Sequence, residues 1–147
     1  MKIIAKNKRA HFDFHLDKSY SAGIALQGTE VKAIREGRVN IDGSYARIID
    51  NEVYVYDIFI GEYSKASVET HNPDRRRKLL LRKREIHKLK SRLQEKGMTL
   101  VPVSIYFNDR NLVKIELALA RGKSRTDKRE SIKKREAKRR MRDAMNR

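Results

Sequence analysis

Four histidines are the only imidazoles available for acid–base or metal chemistry: His11, His15, His71 and His87. Only His11-x3-His15 has a suggestive spacing. It lies where Phe12, Phe14 and Leu16 alternate with His11, Asp13 and His15, the period-2 mark of a half-buried strand. On a strand, residues four apart are separated by about 13 Å, too far to share one zinc ion. Cysteine is absent, which excludes thiolate metal sites and a disulfide framework. No His-Glu helix motif, Walker loop, GxGxxG or GxSxG occurs, and acidic residues such as Asp42 and Glu52 give no sign of a shared site. The expectation is a binding protein rather than an enzyme, with no catalytic residue, metal or cofactor.

Cations are the abundant chemistry. The 147 residues carry a net charge of +17 with an isoelectric point near 10.3. From Arg121 onward thirteen Lys or Arg stand against four Asp or Glu, and residues 1–120 keep a net +8. That asymmetry points to nucleic acid first and an anionic membrane second. No apolar run approaches the ~18 residues of a membrane span, and no signal-peptide core opens the chain, so a cytosolic location is expected.

Three basic clusters stand out. Asn7–Lys8–Arg9 can grip phosphate and ribose together, or it is a frayed basic terminus. Arg75 to Arg84 holds seven basic residues around Leu79, Leu80 and Leu81. There Leu80 either lies against a base or ribose while Arg77 and Lys78 hold phosphates, or widens the buried face. The third cluster is the tail, Gly122 to Arg147. It is too charged to offset its ordering entropy by burial, so it should be disordered when free, yet it is rich in helix formers. It reads as a segment that becomes helical against a polyanion, or as a nonspecific electrostatic tether.

The elements that must position these clusters read as strands, then a helix, then strands. Phe12–Leu16 and Gly23–Leu26 are strand candidates, and Gly28 reads as a turn. Thr29 can cap a helical turn over Glu30–Arg35 that stops at Gly37. Tyr45–Ile49 and Val53–Ile60 form a hairpin at Asp50–Asn51. Asn72 or Asp74 can cap a long helix to about Lys96, with Leu79, Ile86, Leu89 and Leu93 on one stripe. Leu100–Phe107 and Leu112–Ala120 close the body, joined by a turn at Asn108–Asn111. With no βαβ alternation, a mainly β fold follows: a small antiparallel barrel of the oligonucleotide-binding kind, flanked by helices. The division expected is a body over 1–121 and a tail over 122–147.

Several blocks in order resemble one family. They are Asn7–Lys8–Arg9–Ala10, Ala22-Gly-Ile-Ala-Leu-Gln-Gly-Thr-Glu-Val-Lys32, Asn40–Ile41, Ser44–Tyr45, Arg77–Lys78–Leu79–Leu80–Leu81 and Arg84–Glu85–Ile86. Lys114, Gly122–Lys123 and Asp127–Lys128–Arg129 complete the set. Together they resemble the SsrA-binding (small protein B) family nearly end to end. The resemblance implies a six-stranded barrel whose body binds the tRNA-like domain of transfer-messenger RNA, with elongation factor Tu reached through the RNA. It also implies delivery to ribosomes stalled on messages without a stop codon, where the tail enters the decoding site and vacant mRNA channel beside 16S rRNA.

Charge and resemblance together assign Asn7, Lys8, Arg9, Gly28, Glu30, Lys32, Arg77, Lys78, Leu80 and Lys114 to the tRNA-like domain. Gly122, Lys123, Asp127, Lys128, Arg129, Ile132, Lys133 and Lys134 go to the ribosomal path. Departures from the family pattern are Ser21 for an acidic residue, Glu62 for proline, Ser124 for lysine and Thr126 for histidine or an aromatic. The implied protein is monomeric and needs no membrane. A constitutive ribosomal protein with the same barrel and a basic tail is the alternative.

Overall fold

The computed structural model describes residues 1–65 and 70–145. Nine strands and four helices occur among them, in the order β1 (Lys2–Lys6), α1 (Ala10–Asp13), β2 (Phe14–Ile24), α2 (Gly28–Arg35), β3 (Val39–Asn40), β4 (Tyr45–Ile49), β5 (Glu52–Tyr56), β6 (Phe59–Ile60), β7 (Arg77–Leu80), α3 (Lys83–Arg92), β8 (Met98–Phe107), β9 (Val113–Gly122) and α4 (Arg125–Met145). The ladders run β8–β4–β5–β7–β2–β9, and β9 pairs back onto β8, so six antiparallel strands form a ring. Its thinnest seam is the single pair Ala46↔Leu100 between β4 and β8. β1 adds a seventh strand, pairing with the Ser104–Phe107 end of β8 on the edge that β4 meets at Leu100, and β3 pairs with β6 apart from the ring. This is the six-stranded barrel the sequence led us to expect.

Inside the ring one face of each strand meets the others. Val53, Val55, Leu79, Leu100, Ile105, Ile115, Leu117 and Leu119 are all buried. Each such aliphatic contributes roughly 1.5–3 kcal/mol when fully removed from water. Helix α2 contributes Ala33 and Ile34 to this core, and α3 contributes Leu89 with half-buried Ile86, followed by Leu93 just past its end. The β4–β5 hairpin turns on Asp50 and Asn51, both at positive φ (51° and 61°), the two-residue turn whose twist matches its strands.

Five expectations need correction. Val53–Ile60 is not one strand: β5 ends at Tyr56, Asp57 takes positive φ (62°), and Phe59–Ile60 is β6, paired with β3 outside the ring. The strand expected over Phe12–Leu16 starts only at Phe14, because Ala10–Asp13 is one helical turn closed by Asp13 N–H to Arg9 O at 2.8 Å and by the Arg9–Asp13 ion pair. Gly23–Leu26 is not a separate strand, since Gly23 and Ile24 end the eleven-residue β2. Gly28 is not a turn but the first residue of α2, which is capped at Gln27, whose N–H donates to Glu30 Oε1 at 2.8 Å; Thr29 instead bonds His71.

The long helix expected over residues 72–96 is two elements. Arg77–Leu80 is a strand pairing Val55↔Arg77, Tyr54↔Lys78 and Val53↔Leu79, and the helix begins at Lys83. Local propensity favoured helix here, but burial of Arg77 and Leu79 in the barrel wall requires extended backbone.

Candidate nucleic-acid interface

Strand register assembles the body's candidate residues. On the outside of the ring Tyr106 lies opposite Lys114, Lys114 opposite Gly23, and Gly23 opposite Leu80. Alternation decides Leu80: its neighbour Leu79 is buried at 1% exposure while Leu80 is 52% exposed. Gly23 has to be small, because a Cβ there would come within 3.3 Å of Leu80 Cβ and 3.6 Å of Lys114 Nζ. Gly23 is itself buried, and its lack of a side chain lets Leu80 and the Lys114 ammonium group close over it side by side. Ser21, one step along the same face, shares a 2.6 Å hydrogen bond with the Tyr106 hydroxyl.

The face continues across β7, β5 and β4. Lys78 Nζ meets Glu52 at 2.8 Å, and the pair holds the Glu52 carboxyl below its usual range, chiefly through the Lys78 hydrogen bond and then that of Tyr54. Arg76 stacks over Tyr54 at 4.5 Å, and the Tyr45 and Tyr56 rings stack with centroids 5.3 Å apart. Cations alternating with aromatic rings suit unstacked bases and phosphates. Sequence reasoning placed Arg76 in the basic cluster but missed Gly23, Tyr45, Tyr54, Tyr56 and Tyr106 as members of this face. The alternation of Tyr54 and Tyr56 with buried Val53 and Val55 was the available signal.

Three assigned residues are not surface groups. Glu30 and Arg77 are buried at 0% and 1% exposure, with Arg77 Nε on Glu30 Oε2 at 2.5 Å and Arg75 on Glu30 Oε1. Arg77 also donates to Ile58 O at 2.7 Å and Pro73 O at 3.0 Å. Burial by itself pushes Glu30 up, but hydrogen bonds from Arg75, the Gln27 N–H and Arg77 outweigh it and hold the carboxyl below its ordinary value. Neither residue can touch RNA directly; they lock α2 to β7 beneath the surface. Asn7 is also buried, its N–H bonding Val103 O and its amide bonding Pro102 O. Lys8, Arg9 and Gly28 are exposed around the body, as is Lys32, whose ammonium group lies over the Tyr63 ring.

The tail's residues gather on a separate surface beside α1. Lys123 Nζ donates to His11 O at 2.8 Å and Ser131 Oγ at 2.6 Å. Asp127 lies 3.1 Å from His15 Nε2 and is held below its usual value by His15 first and Ser124 second. Lys128 pairs with Asp13 at 3.4 Å and, with Arg135, faces the Phe12 ring. Among the described residues no group of three potential metal ligands occurs. Gly122 ends β9, while Arg129, Ile132, Lys133 and Lys134 are exposed or half-exposed on α4. The last two residues of the expected tail, 146 and 147, lie outside the described residues. Among the described residues no helix is long and apolar enough to cross a membrane.

Six antiparallel strands in a ring, with helices packed at its margins and an outer face of cations, aromatic rings and one exposed leucine, define a basic protein of the oligonucleotide-binding barrel class. The model of the SmpB protein family matches residues 4–147, and the chain belongs to that family. It is 50% identical over 143 residues to the SsrA-binding protein of Thermosipho melanesiensis, covering 97% of each chain. It is 51% identical over 135 residues to that of Rhizobium etli, covering 92% of this chain and 85% of the other. A solved chain described as "tmRNA-SmpB: a journey to the center of the bacterial ribosome" is 46% identical, with a TM-score of 0.69 over 87% of this chain and 93% of that one.

Proposed function

We propose that the chain is the RNA-binding adaptor of trans-translation. Its body holds the tRNA-like domain of transfer-messenger RNA and brings it to ribosomes stalled on messages without a stop codon. Its tail then occupies the decoding site and the vacant mRNA channel. The observation that carries this reading is the outer row Tyr106–Lys114–Gly23–Leu80 in a chain matched to the SmpB family from residue 4 to its end. Leu80, which is exposed above buried Gly23, offers an apolar seat to an unstacked base or ribose. Lys114 and Lys78 supply charge for the phosphates on either side. The protein works by binding in the cytoplasm and catalyses no reaction itself; elongation factor Tu is reached through the RNA.

The tail begins where β9 ends, at Gly122. Its root rests on α1, while among the described residues the side chains from Glu136 to Met145 make no hydrogen bond or ion pair, only the backbone bonds of α4. That far half is helical and exposed along its length, so it can enter a long anionic groove where one lies open, and a message filling the groove excludes it. Capture of the full chain from a bacterial lysate followed by sequencing of the bound RNA tests the proposal. One structured RNA with a tRNA-like end is expected. Stoichiometric recovery in ribosomal subunits after a high-salt wash, without that RNA, would reject it in favour of a constitutive ribosomal protein.

A further inference from the structure

Register breaks interrupt the ladders at three places among the described residues: between Ile3 and Ala5 on β1, between Leu16 and Ser19 on β2, and between Pro102 and Ser104 on β8. All three fall at one spot. Ile3, Leu16, Ser19, Val103 and Ser104 line a single cleft of about 450 Å³ on the outside of the barrel. Bulges end pairing and re-aim side chains beside binding sites, and three converging on one cleft hold it open. The cleft is continuous with the outer face described above, because Glu116, also in its lining, lies opposite Ser21.

Its chemistry is mixed in a particular way. Ile3, Leu16 and Val103 give it apolar walls, and Ile3 is 43% exposed. Glu116 is half-buried and accepts a hydrogen bond from Ser104 Oγ at 3.2 Å, its one side-chain partner among the described residues. A carboxylate without a cation is unexpected in a chain of net charge +17. Lys6 and Lys8 stand at the rim, and the buried side-chain oxygen of Asn7, also in the lining, has no hydrogen-bond partner. A cationic peptide would suit Glu116 but is repelled by the rim. A neutral group that donates two hydrogen bonds, attached to a phosphate, satisfies both.

We propose that this cleft takes one unstacked guanosine of the bound RNA, with Glu116 reading its Watson–Crick edge. Guanine presents N1–H and N2–H side by side there, two donors matched to the two carboxylate oxygens, whereas adenine, cytosine and uracil each present one donor flanked by acceptors or carbon. The base plane lies against Leu16 and Val103, and the phosphate meets Lys6 and Lys8. The inference rests on the reading of the chain as an RNA-binding protein.

Amide chemical shifts of the full chain, followed during titration with guanosine, inosine and adenosine 5′-monophosphates, test it. Guanosine monophosphate should move the amides of Leu16, Ser19 and Ser104 and bind about tenfold more tightly than adenosine monophosphate, a scale set by one good two-donor base contact. Inosine monophosphate, lacking the 2-amino group, should fall between. Glu116→Gln should bring the guanosine ligand to the adenosine level with the melting curve unchanged. If that variant fails to fold, Ser19→Tyr at the exposed rim should fill the cleft and abolish the shifts. Equal binding of all three nucleotides, or shifts confined to α4, overturns the proposal. A parallel titration with the tRNA-like RNA separates the two readings. RNA binding without nucleotide discrimination rejects the cleft alone; absence of RNA binding rejects the adaptor function.

Discussion

The barrel and α4 handle charge in opposite ways. In the barrel, the Glu30–Arg77 pair is wholly buried and saturated with hydrogen bonds, and it joins α2 to β7. In α4 no described side chain is buried, and its root is held by half-exposed ion pairs and ring stacking on α1. Removing one partner of a buried pair strands a charge where water cannot reach it. An exposed pair is already solvated and screened by salt, so breaking it changes little. The first kind of charge fixes a shape, and the second remains free to trade its partners for RNA phosphates.

The largest effect expected from breaking this contrast is functional. Truncation after Ser124 keeps every β9 pairing, so melting and affinity for the tRNA-like RNA at low salt should stay near those of the full chain while tagging of stalled nascent chains is lost. Equal loss of RNA binding and tagging would remove the distinction between body and tail. Next in size is Glu30→Gln, which leaves Arg77 uncompensated and should destabilise the fold by about 3–5 kcal/mol in urea unfolding. Asp127→Asn, by contrast, should leave the midpoint where it was.

The same pair sets an acid limit. Glu30 is held below its unfolded value of about 4.3, so its stabilising contribution is complete above that pH and is lost as pH falls through the lower folded value. The midpoint of the native protein should drop below about pH 4, and that of Glu30→Gln should drop less. At the outer face, Leu80→Asp should lower RNA affinity about tenfold, roughly 1.4 kcal/mol, with the circular dichroism spectrum unchanged. The smallest change is in salt dependence. For every phosphate that the truncated chain leaves unneutralised, the slope of log affinity against log salt for stalled-ribosome binding should fall by about 0.9 or less.

Sequence reading located the barrel's hairpins well. The Asp50–Asn51 turn and the turn at Asn108–Asn111 mark their strands with residues that accept positive φ, and the intervening apolar alternation is unambiguous. It failed at residues 72–82, where a run of Arg, Lys and Leu has helical propensity and its extended conformation depends on β5 and α2, both far away in the chain. The same distance dependence explains Glu30 and Arg77. As charged residues both read as surface groups, and only their mutual approach puts them inside. Gly23 and Tyr106 were not placed on one face because no local motif joins them; β9 lies between them and brings them to one row.

By itself the sequence determined the charge division between body and tail, the β-rich order of elements and the kinship carried by its ordered blocks, because these depend on residue type and spacing along one chain. Tertiary structure decided which leucine of three faces solvent, which arginine is swallowed by the barrel wall, and where three bulges open a cleft. Those outcomes follow from register between strands far apart in sequence, and a shift of one residue in pairing would turn every one of those side chains to the opposite face.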